Sequence, residues 1–127
     1  MTQQMVLVID DEEPVRDAVA DILDLEGVSV MTVSDGRGGI ELYRERQAEI
    51  GLILLDLSMP GLNGEETFHE LRLINAHVRV LLSSGYSQDE VAARFTGQSE
   101  VGFIQKPYDA EQLVKEVKRY LAQPPAD

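Results

Sequence analysis

The sequence has little of several features that mark particular classes of protein. It contains no cysteine, so neither a disulfide framework nor a thiolate metal site can form. Basic residues are few: 11 Lys and Arg stand against 23 Asp and Glu, and the formal net charge of −12 opposes direct binding to nucleic acid. The longest apolar runs have the length of strands, so no membrane span is expected.

The length of 127 residues predicts one domain, which we place at residues 1–122. Residues 123–127 contain a Pro-Pro pair and are expected to form a flexible tail. The chain starts with Met-Thr-Gln-Gln and enters an apolar run at once, without the basic flank and cleavage site of a signal peptide. We therefore expect a cytoplasmic location.

Five apolar runs of strand length alternate with five helical patterns. Strands are predicted over residues 5–9, 28–33, 52–56, 78–82 and 101–104. The helices are predicted to begin near Pro14, Asp35, Gly64, Ser87 and Asp109. Within the second of these, Gly38 and Gly39 each cost about 1 kcal/mol relative to alanine, which weakens that helix.

The alternation of strands and helices favours an α/β fold with a parallel sheet covered on both faces. Among five-stranded doubly wound sheets, a common order is 2-1-3-4-5, that of a single flavodoxin-like (βα)5 domain. This order places the first and third strands side by side. Ligands of such folds bind outside the carboxyl ends of these strands.

Acidic residues follow these two strands directly. Asp10 and Asp11 leave the first strand, and Asp56 leaves the third, whose run Leu52-Ile53-Leu54-Leu55 is fully apolar. Separately, each acid could cap a turn or lie solvated at a helix entry. Together they would repel one another, by about 4 kcal/mol for two charges 4 Å apart at an effective dielectric of 20. Oxygen ligands without cysteine or a nearby histidine favour a hard cation such as Mg²⁺.

The ends of two further strands supply a hydroxyl and an ammonium group. The fourth strand ends in Ser83-Ser84-Gly85, and the fifth runs into Lys106-Pro107. A phosphoryl group on an oxygen of Asp56 could be bridged there by Mg²⁺, Ser84 and Lys106. A carboxylate can serve as the nucleophile of such a transfer.

The chain closely resembles the receiver domain of two-component response regulators. The resemblance covers residues 5–121 and is carried by four segments, residues 8–11 (VIDD), 54–64 (LLDLSMPGLNG), 82–86 (LSSGY) and 103–108 (FIQKPY). It implies that Asp56 accepts a phosphoryl group from a phosphohistidine of a sensor histidine kinase or histidine phosphotransfer protein. It also implies that Lys106 pairs with the acids or the phosphate.

The resemblance further implies a set of metal and switch residues. Asp11 would bind Mg²⁺ directly, Asp10 through water, and Asp56 and the backbone carbonyl of Ser58 would complete the protein ligands. Ser84 would be the switch hydroxyl and Phe103 the aromatic that moves inward, although phenylalanine lacks the hydroxyl of the tyrosine often found there. The bond before Pro107 would be cis, which X-Pro bonds adopt at low cost.

The expected activity is that of a signalling switch and not of a conventional enzyme, limited to self-phosphorylation from phosphodonors and self-dephosphorylation. The surface of the fourth helix, fifth strand and fifth helix would carry output or form a homodimer. No output domain follows residue 121, so we expect a stand-alone receiver or the receiver segment of a hybrid kinase. For Tyr108 and Pro14, contact with a kinase and ordinary packing both remain open.

Three other functions remain as alternatives. A flavodoxin-like protein holding FMN would need a hydroxyl- and glycine-rich loop after the first strand, where residues 10–13 are all acidic. A metal-dependent phosphatase would need an aspartate two residues after Asp56, where Ser58 stands. A degenerate receiver that serves only for docking would not need the complete acidic set.

Overall fold

The computed structural model describes residues 4–58, 64–85, 87–95 and 97–122. The predicted tail at residues 123–127 lies outside these ranges. Strands and helices alternate as β1 (Met5–Ile9), α1 (Glu13–Leu25), β2 (Val30–Val33), α2 (Gly36–Arg46), β3 (Ile50–Asp56), α3 (Gly64–Ile74), β4 (Val80–Ser84), α4 (Gln88–Arg94), β5 (Val101–Gln105) and α5 (Ala110–Ala122). Over the ranges that the structure describes, none of the helices could cross a membrane.

The five strands form one sheet in the order β2-β1-β3-β4-β5, and all neighbouring strands are parallel. The predicted fold class and strand order are therefore confirmed. Leu54 in the central strand β3 pairs with Val8 of β1 on one side and with Leu81 of β4 on the other. Because the strands are parallel and in this order, the carboxyl ends of β1, β3 and β4 meet at one edge.

A separate hydrophobic core covers each face of the sheet. Leu54 belongs to the core formed with α1 and α5, and Leu55 to the core formed with α2, α3 and α4. Successive residues of a strand point to opposite faces, so a strand buried on both faces is apolar throughout. The uninterrupted run of aliphatic residues in β3 follows from this double burial.

Two strands begin later than the sequence pattern predicts. β2 begins at Val30 and β4 at Val80, two residues after the predicted starts at Val28 and Val78. Both early valines lie in the cores, but their amides donate to backbone carbonyls of the preceding helices or turns, at 3.0 and 3.1 Å. Hydrophobicity marks these positions as buried without saying whether their backbone is in the sheet.

Helix α2 forms in spite of its glycines. Its N-cap is Asp35, whose Oδ1 accepts from the amide of Gly38 at 2.6 Å. A Cβ atom at Gly39 would collide with the side chain of Ile9. The absence of a side chain therefore lets α2 pack directly on the end of β1, next to the predicted site, and this contact offsets the low helix propensity.

Candidate functional site

Three carboxylates converge at the carboxyl edge of the sheet. Asp10 follows β1 and Asp56 ends β3, and each residue is only 2% exposed, whereas Asp11 is exposed. One carboxylate oxygen from each of the three lies within 4.8 Å of the others. Convergence follows from the strand order, which sets β1 beside β3 and brings their ends together.

Lys106, which follows β5, is the cation of this cluster. Its Nζ lies 2.9 Å from Oδ2 of Asp10 and 3.5 Å from Oδ2 of Asp56. Burial lowers the pKa of Lys106, but the hydrogen bond with Asp10 and the charges of both carboxylates outweigh burial, so the pKa is raised overall. One ammonium group therefore stands against three carboxylates.

Burial raises the pKa of Asp56 from 3.8 to about 6, and the negative charge of Asp10 adds to this effect. The amide of Ser58, which donates to Oδ1 of Asp56 at 3.1 Å, and the charge of Lys106 act in the opposite direction. The ionised form of Asp56 is thus disfavoured until further positive charge is brought to the site.

The backbone around Asp10 is held at several points. Oδ1 of Asp10 accepts a hydrogen bond from the amide of Glu12 at 2.9 Å, and the amide of Asp10 donates to the carbonyl of Val33 at 3.2 Å. Its carbonyl accepts from Nη1 of Arg16 at 2.8 Å. Sequence reasoning missed Arg16; the only available signal was a basic residue early in an otherwise acidic helix.

Ser84 and Phe103, the predicted switch residues, lie on the neighbouring strands β4 and β5. Ser84 is fully buried at the end of β4, and its carbonyl accepts from the amide of Lys106 at 2.8 Å. Phe103 pairs with Leu82 of β4 and packs, half-buried, against the core of α2, α3 and α4. The peptide bond between Lys106 and Pro107 is cis.

Two buried hydroxyls lie near the site, and sequence reasoning gave neither of them a role in it. Ser83 pairs with Asp56 in the register of β3 and β4, so both side chains point to the face covered by α1 and α5. Oγ of Ser83 and the phenolic oxygen of Tyr108 are buried and, within the part of the chain that the structure describes, make no hydrogen bond of good geometry. The sequence offered the Ser83-Ser84 pair as a signal, but the resemblance singled out Ser84 alone.

A groove of about 460 Å³ opens beside Lys106, between α1 and the connection from β5 to α5. Its surface is predominantly apolar, with charged groups at the end near the carboxylates. Its lining comprises Glu12, Pro14, Val15, Ala18, Val19, Ile22, Lys106, Pro107 and Tyr108. Pro14 and Tyr108, whose role the sequence left open, thus share one surface next to the site.

The donor chemistry of the cluster fits a hard divalent cation. All three clustered side chains offer carboxylate oxygens, the ligand type that Mg²⁺ prefers. Three carboxylates share the site with one ammonium group, so negative charge there exceeds what Lys106 offsets. One bound dication would remove most of this excess.

Comparison with known proteins points to a single family. The chain matches the model of the response regulator receiver domain over residues 6–118. Sensor kinase CckA of Brucella abortus (strain 2308) is 29% identical over 116 residues, which make up 91% of this chain and 12% of that protein. Sporulation initiation phosphotransferase F of Bacillus subtilis (strain 168) is 22% identical over 121 residues, covering 95% of this chain and 96% of that protein.

Solved structures agree with this match. The receiver domain of NtrX from Brucella abortus has a TM-score of 0.84 and 30% identity, covering 94% of this chain and 99% of that chain. Chemotaxis protein CheY4 of Vibrio cholerae, with a TM-score of 0.85 and 24% identity over 94% of this chain and 99% of that chain, supports the fold alone. Since the family model matches most of its length, the chain belongs to the response regulator receiver domain family.

Proposed function

We propose that Asp56 of this chain accepts a phosphoryl group from a phosphohistidine of a sensor histidine kinase or a histidine phosphotransfer protein. The observation that carries the proposal is the cluster of Asp10, Asp11 and Asp56 within 4.8 Å, with Lys106 against two of its members. Receiver domains are signalling switches and not conventional enzymes. Phosphorylation of this chain would accordingly alter its shape and partners.

Receiver domains bind Mg²⁺ at an acidic pocket. In this chain Asp10, Asp11, Asp56 and the backbone carbonyl of Ser58 would hold the ion. When bound, Mg²⁺ supplies positive charge against the oxygens of the transferring phosphoryl group. The excess of carboxylates over ammonium groups around Asp56 supports this assignment.

In the proposed reaction, a carboxylate oxygen of Asp56 forms a bond to phosphorus as the bond from phosphorus to the imidazole nitrogen of the donor breaks. The electron pair of the broken bond stays on that nitrogen, which then takes up a proton. Lys106, with its side chain only 18% exposed, would shift from the carboxylates to the phosphoryl oxygens. The phosphoryl group would later be lost to water.

The groove beside Lys106 suits the donor as its docking surface. A histidine on a donor helix must approach Asp56 closely, and the groove is an apolar surface adjoining the site. An apolar helix face buried there would bring the histidine to the charged end of the groove. The names of two relatives, a sensor kinase and a phosphotransferase, support a donor of this class.

Output would run through Ser84 and Phe103 to the surface of α4, β5 and α5, where a homodimer could also form. The hydrogen bond from the Lys106 amide to the Ser84 carbonyl supports such a link, because a displacement of Lys106 would also move the end of β4. Phe103 lies on β5 within that surface. Both roles are predictions from the resemblance.

The proposal is tested by incubating the protein with Mg²⁺ and acetyl phosphate and measuring its intact mass. We expect one phosphate-sized adduct that is prevented by a chelator and absent from Asp56→Asn. Asp24→Asn is the matched control, since Asp24 is an exposed carboxylate on α1 and the adduct should persist there. An adduct of equal size on Asp56→Asn would refute the assignment of Asp56.

A further inference from the structure

Ser83 and Tyr108 carry the buried hydroxyls next to the site. Ser83 is 1% exposed, and the hydroxyl of Tyr108 is covered although its ring lines the groove. Neither oxygen makes a hydrogen bond of good geometry within the described residues. Buried hydroxyls nearly always have a partner, because an unpaired one loses its bonds to water without compensation.

The fold brings these two oxygens to the same place. Ser83 lies beside Asp56 in the sheet register, and Tyr108 follows Lys106 by two residues. Tyr108 packs against the core of α1 and α5, the face to which Ser83 also points. Burial raises the pKa of the Tyr108 phenol, while the nearby Ser83 hydroxyl and the charge of Lys106 oppose this rise.

Other polar groups act on the Tyr108 phenol as well. Asp10 and Asp56 also influence the Tyr108 phenol, but Oδ1 and Oδ2 of Asp10 are taken by Glu12 and Lys106. Each hydroxyl can donate one hydrogen bond and accept others, so the two can satisfy each other with a small rotation. If they did not, two buried oxygens beside the candidate site would lack any hydrogen bond to replace those they lose with water.

We propose that the hydroxyls of Ser83 and Tyr108 form one hydrogen-bonded unit, directly or through one bound water, that fixes the turn after β5 and so positions Lys106 beside Asp56. Both are positioning residues, because they act through Lys106. The role of this unit in phosphoryl transfer rests on the proposed function. The pairing of the two hydroxyls does not depend on it.

A double-mutant cycle tests the pair, with Ser83→Ala, Tyr108→Phe and the double variant unfolded by urea in the presence of a chelator. Each single variant leaves the other hydroxyl buried without a hydrogen-bond partner, so we expect each to lower the urea concentration at the midpoint of unfolding. The double variant removes both oxygens and should return close to the wild-type midpoint. Single effects that are absent or simply add in the double variant would overturn the pairing.

Positioning is tested by the ¹³Cε chemical shift of Lys106 and by the rate of labelling with acetyl phosphate. We expect each single variant to move the Lys106 signal and to slow labelling several-fold, with no further slowing in the double variant. Tyr43→Phe, at the other end of the sheet, should change neither. An unmoved Lys106 signal in both single variants would overturn the positioning role, whereas a wild type that takes no label would refute only the proposed function.

Discussion

The two ends of the parallel sheet differ in how their polar groups are paired. At the amino-terminal end, Nδ2 of Asn75 donates to the phenolic oxygen of Tyr43 at 3.0 Å, and Nδ1 of His77 lies 2.9 Å from Oε1 of Glu100. There Arg79 also donates to the carbonyl of Tyr120 at 2.8 Å. These contacts join donors to acceptors between different elements of the fold.

At the carboxyl end, by contrast, charges of one sign accumulate. Asp10, Asp11 and Asp56 converge there, and the ammonium group of Lys106 pairs with Asp10 and Asp56. Ser83 and Tyr108 add two buried hydroxyls that make no hydrogen bond of good geometry within the described chain. Polar groups that satisfy one another stabilise the fold, whereas a cluster with excess charge lowers stability unless a ligand binds. This difference supports the placement of the candidate site at the carboxyl end.

Removing the cation should have the largest effect on stability. Lys106→Ala leaves Asp10 and Asp56 buried without their counter-charge, so we expect the free energy of unfolding to fall by about 3 kcal/mol at pH 7.5 with chelator. The measurement is urea denaturation. Lys118→Ala is the control, because Lys118 pairs with Glu26 on the exposed surface and should cost below about 0.5 kcal/mol. Equal losses of unfolding free energy in Lys106→Ala and Lys118→Ala would show that the buried cluster depends on its cation no more than an exposed ion pair does.

Removing one carboxylate from the same cluster should act in the opposite direction. The folded-state pKa of Asp56 lies near 6, above its usual value of 3.8, so ionised Asp56 destabilises the folded protein above pH 6. Asp56→Asn should therefore raise the free energy of unfolding by roughly 1–2 kcal/mol at pH 7.5 without Mg²⁺.

The pH dependence checks the sign of this effect. As pH falls from about 6 towards 4, wild-type Asp56 takes up a proton in the folded state, so the advantage of Asp56→Asn should disappear. Added Mg²⁺ should stabilise the wild type more than the variant, as thermal denaturation would record. A variant less stable than the wild type at pH 7.5 with chelator would show that the site is not electrostatically strained.

A change at the amino-terminal end should have the smallest effect. Asn75→Ala removes the donor to Tyr43 and the acceptor of the His77 amide, and should cost about 1 kcal/mol in unfolding free energy. Mg²⁺ affinity, measured by titration calorimetry, and labelling by acetyl phosphate should not change. Altered Mg²⁺ binding would mean that the two ends of the sheet are coupled.

Much of the fold could be predicted because its signals are local. The doubly buried strand β3 is visible in its aliphatic run, and Ser87 caps α4 through the amide of Glu90 as the sequence pattern predicts. Strand bounds were less accurate, since Val28 and Val78 are buried without belonging to strands. The low stability predicted for α2 came from helix propensity alone. It did not include the packing of Ile9 against Gly39, which only a residue without a side chain permits.

The candidate site was predictable in part, through polar residues that follow apolar runs. Asp10, Asp11, Asp56 and Lys106 were found in this way and meet in the structure. Arg16 could not be found, because its partner is a backbone carbonyl and any polar side chain can lie on an exposed helix. The roles of Ser58, Ser84 and Phe103 stay predictions.

The sequence by itself determined the alternation of strands and helices and the places where acids leave strands, because hydrophobic periodicity and capping act over a few residues. Only the tertiary structure decided how closely the three predicted acids approach one another and that Ser83 faces the same way as Asp56. Strand order and register bring together residues far apart in the chain, and a shift by one residue would turn Ser83 to the other face of the sheet. Local patterns cannot encode that choice.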